Sequence, residues 1–160
     1  LYMQNLADIA HENEQKFDTG NIELDAILNN KINEAQDSNI KTETDITIPA
    51  GIIKDGYDIA VILGHILDNA NRASLECDEK ERSININIKY NRGVMSILVM
   101  NAYANNINVT KNVLPVTTKD DSFEHGIGLA NVRNTVEKYH GELIIKTENK
   151  KFIADIILYI

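Results

Sequence analysis

From Leu24 onward, apolar residues recur at Ile27, Leu28, Ile32 and Ala35, offsets of +3, +4, +8 and +11 that predict a helix over about residues 22 to 37 with a single apolar face. Asp18-Thr19-Gly20-Asn21 stands just before it, a glycine to close one helix and an asparagine to cap the next. Upstream, Met3, Leu6, Ala10 and Phe17 form an a/d stripe broken by Asn13, the pattern of a helix end packed in a bundle. Ile46 and Ile48 alternate with Thr and Asp and predict a strand between Ile40 and Ile48, stopped by Pro49 and Gly51. A longer helix follows over about residues 58 to 76, with Asp55 or Asp58 as its cap and Ile59, Ile62, Leu63, Ile66, Ala70 and Ala73 on its buried side.

The period then changes from 3.6 to 2. Ser83 to Tyr90 and Val94 to Met100 alternate across Asn91-Arg92-Gly93, which predicts a β-hairpin. Residues 102 to 125 carry no periodicity and are rich in Asn, Thr, Lys and Asp, longer than the ~12 to 15 residues of an ordinary connection, so they read as a lid. A further helix over about residues 127 to 140 turns Leu129, Val132, Val136 and Tyr139 inward and leads to strands near 142 to 147 and 152 to 159, joined around Asn149. The sum is an α/β (α+β) chain, a two-layer sandwich of helices on one face of a mixed, mostly antiparallel sheet.

Composition narrows the function. At 160 residues and 43% hydrophobic content the chain suits one globular domain, with the boundary to the leading helix placed at residues 18 to 20. A net charge of -8 argues against a nucleic-acid partner, whose phosphates are neutralised by clustered Lys and Arg. Cys77 is the single cysteine, so no intrachain disulfide forms. No apolar run approaches the ~20 residues that span a bilayer. The sequence opens at Leu1 inside a helical pattern, so the natural chain is expected to continue upstream and to hold any membrane part there.

Three polar residues of the second predicted helix, His65, Asn69 and Arg72, stand at i, i+4 and i+7 and share one stripe. An amide oxygen such as that of Asn69 suits Mg²⁺, which takes one or two protein oxygens together with nucleotide phosphates. Taken alone, the stripe reads first as a solvated face, with Asp68 and Arg72 as a surface ion pair. His125-Gly126-Ile127-Gly128-Leu129 stands where the long loop meets a helix, and free N–H groups at a helix start favour phosphate. Taken alone it also fits a tight loop-to-helix junction, since it has neither the third glycine of a dinucleotide fingerprint nor a P-loop lysine. Lys119 precedes it in a polar stretch and suits a terminal phosphate. His11, His65, His125 and His140 show no paired metal-ligand spacing, which disfavours a zinc enzyme.

In order along the chain, Ile62-Leu63-Gly64-His65-Ile66-Leu67-Asp68-Asn69-Ala70 resembles the N box, and His125-Gly126-Ile127-Gly128-Leu129-Ala130-Asn131-Val132-Arg133 resembles the second glycine box, of the Bergerat ATP-binding fold. Histidine kinases, gyrase, mismatch-repair ATPases and a heat-shock chaperone share that fold. Gly20-Asn21-Ile22 with Asp25, Ile27, Leu28 and Lys31 is similar to the leading helix of the kinase domain in Agr-type quorum-sensing receptors. The resemblance covers nearly the whole of residues 21 to 160. It implies a protein histidine kinase that uses Mg-ATP, with Asn69 on Mg²⁺ and Gly126 and Gly128 around the phosphates, flanked by His125, Ile127, Leu129 and Arg72. It further implies Lys119 on the terminal phosphate, and sets His65 where histidine kinases carry an asparagine and ATP-hydrolysing members a glutamate base, so that its imidazole serves first as a hydrogen-bonding group and, as the lesser alternative, accepts a proton or orients water.

Asn101 ends the strand where the wider family carries an Asp-x-Gly-x-Gly box; here the stretch is Asn101-Ala102-Tyr103-Ala104-Asn105, so the charge and both glycines are gone. Its amide oxygen can still accept from an adenine amino group. By the same resemblance, residues 1 to 19 are the end of a dimerisation helix and residues 20 to 160 the ATP-binding catalytic domain. The phosphoacceptor histidine would lie in missing sequence, the receptor would be a homodimer signalling to a response regulator, and the domain would be its cytoplasmic part. A stand-alone ATPase or serine kinase, and a pseudokinase docking domain, are the rival implications.

Overall fold

The computed structural model of the protein describes residues 17–104 and 123–160, with only the backbone of 123–127. Three helices, α1 (Ile22–Asp37), α2 (Tyr57–Leu75) and α3 (Phe123–Lys138), accompany five strands, β1 (Lys41–Thr47), β2 (Ser83–Asn91), β3 (Val94–Ala102), β4 (Glu142–Glu148) and β5 (Lys151–Tyr159). The strand order is β1-β2-β3-β5-β4; β1 runs parallel to β2 and every other neighbouring pair is antiparallel. This is the expected two-layer sandwich on a mixed, mostly antiparallel sheet. Met3, Leu6, Ala10 and Asn13 of the leading stripe, residues 105–122 of the long loop and with them Lys119 lie outside the described residues; Phe17 is in no helix, and the expected loop is shorter than 102 to 125, since Ala102 still belongs to β3 and residues 123–125 open α3.

Alternation in the strands decides which sheet face is covered. Ile84, Ile86 and Ile88 of β2, Met95, Ile97 and Val99 of β3, Ala154, Ile156 and Leu158 of β5, and Ile145 of β4 are buried on the helical side. Against them α1 sets Leu24, Leu28, Ile32 and Ala35, α2 sets Ile59, Ile62, Leu63 and Ile66, and α3 sets Val132 and Val136. The helices follow the sheet in order: α1 lies by β1, α2 over β2 and β3, and α3 by β4 and β5. The central helix therefore has neighbours on three sides.

Local chemistry sets the ends of these elements. Asn21 caps α1 as expected, its side chain accepting from Leu24 N–H at 3.1 Å while its Nδ2 donates to the Ile53 carbonyl at 3.2 Å. For α2 the expected aspartate cap is displaced: Gly56 is the N-cap, and Asp55 Oδ1 accepts from Tyr57 N–H at 3.1 Å. The reason is crowding, because a methyl group on residue 56 would overlap the Asn21 side-chain amide. Ala73 was expected on the buried side of α2, yet it is Ser74 that is fully buried, satisfied by accepting the Ser83 N–H at 3.1 Å. The β2–β3 turn has positive φ at Arg92 (48°) and Gly93 (87°), the geometry that two-residue hairpins favour.

One boundary moved more. The last helix was expected from about residue 127 but starts at Phe123, so Gly126 and Gly128 sit within its opening turns instead of before them. Glycine costs a helix about 1 kcal/mol relative to alanine but does not forbid it.

Candidate functional site

Two helices meet at one edge of the helical layer. α2 contributes His65, Asn69 and Arg72, all half-buried and one turn apart along one side. The opening of α3 comes over this stripe at Gly128, which is buried; a Cβ placed there would stand 3.5 Å from His65 Nδ1. The two motifs singled out by sequence, sixty residues apart, thus meet directly at His65 and Gly128. The first four N–H groups of α3, from Phe123 to Gly126, have no carbonyl partner within the helix and form its electropositive end.

Asn101, near the end of β3 on the helical side of the sheet, is only 2% exposed. Its Nδ2 donates to the Ala102 carbonyl at 2.8 Å. A carbonyl oxygen can only accept, so that bond fixes which way the amide faces and leaves Oδ1 as its acceptor. Beyond it Tyr103 holds the strand end through its N–H to the Lys150 carbonyl at 2.9 Å and a tilted ring contact with Phe152 at 5.8 Å.

The remaining predicted residues divide by position. Leu129 packs against the core beside Val132. His125 and Ile127 lie in the first turns of α3, where the backbone alone is described. Among the described residues no group of three His, Cys, Asp or Glu side chains is placed to hold a metal ion, so a cation at Asn69 would rely on the phosphates of its ligand for most of its coordination. Neutral amide oxygen, glycine backbone and a helix start form a donor set suited to a Mg-phosphate group.

Sequence reasoning missed the electrostatic partner of this stripe. Asp68, beside Asn69, is met by Lys31 of α1, Nζ to Oδ1 at 2.7 Å. Lys31 also reaches Glu34 Oε2 at 3.2 Å, and its side chain is only 16% exposed. The hydrogen bond it donates to Asp68 holds the Lys31 ammonium above the ordinary lysine range, against the desolvation that lowers it. No pattern within α2 could have announced a partner on another helix.

A second concavity, about 240 Å³ in volume, lies on the uncovered sheet face among Glu43, Asp45, Asn85, Asn87, Leu98 and Met100. Its carboxylates are already paired, Glu43 with Lys41 at 3.3 Å and Asp45 with Lys89 at 3.0 Å, and among the described residues its lining comes from strands alone, with no glycine. The chemistry favours the α2–α3 edge.

Residues 55–159, which include both motif stretches, match the family described as GHKL domain. No curated protein matches the chain by sequence. Among solved structures, histidine kinase AdeS of Acinetobacter baumannii is similar at a TM-score of 0.59 and 17% identity, covering 86% of this chain, which spans 62% of that one. The mycobacterial sensor histidine kinase MprB is similar at 0.58 and 16%, covering 84% of this chain and 92% of that one. The catalytic domain of histidine kinase ThkA is similar at 0.60 and 16%, covering 84% and 88%. At such identities the likeness is one of fold.

Proposed function

We propose, from the premise that this chain belongs to the GHKL domain family, that it is the ATP-binding catalytic domain of a two-component sensor histidine kinase. In this reading it transfers the terminal phosphate of ATP to a histidine of the receptor's own dimerisation helices, residues 1 to 19 being the end of one such helix, and from there to a response regulator. The receptor would be a membrane-bound homodimer of the Agr quorum-sensing type, with this domain on the cytoplasmic side. The observation that carries the proposal is the meeting of the N-box stripe with the glycine-bearing start of α3 at His65 and Gly128.

Within that reading Asn69 holds Mg²⁺, which supplies charge neutralisation along the phosphates. Gly126 and Gly128 let the α3 backbone approach the phosphates, with His125, Ile127, Leu129 and Arg72 around them. Lys119 contacts the terminal phosphate, and His65 orients or deprotonates an attacking group. Asn101 reads the adenine amino group through Oδ1, because its amide nitrogen is held by Ala102. Positioning and preorganised charge would supply most of the rate.

The loss of the charged Asp-x-Gly-x-Gly box favours one rival, a pseudokinase that docks without nucleotide. Thermal melting of the protein with and without millimolar Mg-ATP separates the two. Ligand at ~100 times its dissociation constant stabilises by roughly 2.7 kcal/mol, several degrees for a domain of this size. A shift abolished by Asn69→Ala and by EDTA supports the kinase reading; no shift at saturating nucleotide sinks it.

A further inference from the structure

The leading-helix residues Asn21, Asp25, Ile27, Leu28 and Lys31 are not used by the function above, yet the structure gives each a seat. Asn21 caps α1 and holds Ile53; Asp25 Oδ1 accepts from Thr19 N–H at 2.7 Å; Leu28 is fully buried; and the end of Ile27 lies 3.4 Å from where a Cβ on Gly64 would stand, opposite the N box. Lys31 completes the series at the other end of that contact. Its ammonium meets Asp68 at 2.7 Å, and its carbonyl accepts from Asn71 Nδ2 at 3.3 Å. One residue of α1 therefore grips the two α2 positions that flank residues 69 and 70.

We propose that Lys31 is a positioning residue for the nucleotide site, holding α1 against the turn of α2 that carries Asn69 and neutralising the Asp68 carboxylate next to it. The inference rests on the reading that Asn69 faces the nucleotide phosphates. A lysine left with 16% of its side chain exposed is uncommon unless paired. Here Glu34, three residues along the same helix, already offers it a carboxylate, so the reach across to Asp68 adds a contact that local pairing does not demand. The Asp68 side chain remains 48% exposed. With Lys31 replaced, the Asp68 carboxylate would lose that cation one residue from the proposed cation site, and across a distance comparable with the ~8 Å screening length would repel a polyphosphate. Adenosine, which has no charge, would not feel it.

The test measures dissociation constants for Mg-ATP and for adenosine by calorimetry, alongside melting temperatures, in the 160-residue protein and in Lys31→Met, Lys31→Arg, Asp68→Asn and Lys31→Met/Asp68→Asn. Lys31→Met is expected to weaken Mg-ATP roughly three- to tenfold, the effect of one unit charge ~10 Å away at a solvated site, while changing adenosine less than about twofold on the same scale. Removing Asp68 charge in the double variant restores Mg-ATP to within about twofold of wild type, and Lys31→Arg retains it. Equal weakening of both ligands assigns Lys31 to fold maintenance and overturns the proposal, as does an unchanged Mg-ATP constant in Lys31→Met or a double variant no better than the single one. If the unsubstituted protein binds adenosine and Mg-ATP not at all, the kinase reading itself has failed, and this inference with it.

Discussion

Tyr139 donates its hydroxyl to Asp58 Oδ2 at 3.2 Å, joining the end of α3 to the start of α2. Burial first, and the Asp58 carboxylate second, push its phenol above the ordinary value, as Asp68 does for the Lys31 ammonium. Both groups hold their protons more tightly folded than unfolded, so their stabilisation is complete below the unfolded values of about pH 10 and is lost as pH rises through the folded ones. Melting temperature should fall above about pH 10, less steeply in Tyr139→Phe and in Lys31→Met. Identical alkaline slopes in all three proteins would refute this. At Gly141 the constraint is steric: a methyl would overlap the Ile157 carbonyl and approach Val136 Cγ1 at 3.0 Å. Gly141→Ala should lose about 1 to 3 kcal/mol in denaturant titration, the usual cost of overpacking.

Between elements, Arg82 does what no helix residue does for itself. It donates to the Ser38 carbonyl at the end of α1 at 3.2 Å, and to Cys77 and Leu75 carbonyls at the end of α2 at 3.3 and 3.5 Å. A cation on two negative helix ends is favourable, and a planar fork can serve several acceptors where an ammonium cannot. Arg82→Ala should cost about 1 to 2 kcal/mol, with Arg82→Lys recovering less than half, read as urea midpoints at constant slope. For α3, Gly128→Ala meets only ordinary contact with His65; it should hold or raise the melting temperature, by up to about 1 kcal/mol of helix propensity, while weakening Mg-ATP several-fold. Retained affinity would remove Gly128 from the phosphate cradle.

The same elements show what could be foreseen. Apolar spacing placed α1 at its observed ends, because a capping asparagine and a continuous stripe agree there. It missed the start of α3 by four residues, since paired glycines read as a break when tertiary contact with α2 carries the helix through them. Ser74 escaped because its burial depends on an N–H of β2 that comes to it only in three dimensions. Within the candidate site, Asn69, His65 and Gly128 were legible as motifs, whereas the ion pair between Lys31 and Asp68 was not, being 37 residues apart and belonging to no local period.

Across the whole molecule, the sheet and its three helices share one continuous core from Leu24 to Leu158. Phe17 N–H is held by Asn29 Oδ1 at 3.0 Å, so the described body takes hold of the chain at that point. A protein beginning at Phe17 should therefore melt within about 2 °C of the longer one, roughly the shift from half a kcal/mol, and keep any Mg-ATP response. A large loss would extend the folding unit upstream.

The parallel pairing of β1 with β2 has a temporal side. β2 and β3, like β4 and β5, are joined by two-residue turns and can find each other within microseconds. β1 pairs with β2 across a crossover that contains α2, Lys41 lying opposite Ser83, so this contact is the less local one and is expected to close later. β1 contributes few apolar side chains, and among the described residues no further strand pairs along its other side. Its amides should be the first of the sheet to exchange with deuterium and the last to regain protection on refolding, while the antiparallel strands, and α1 packed on α2, stay formed.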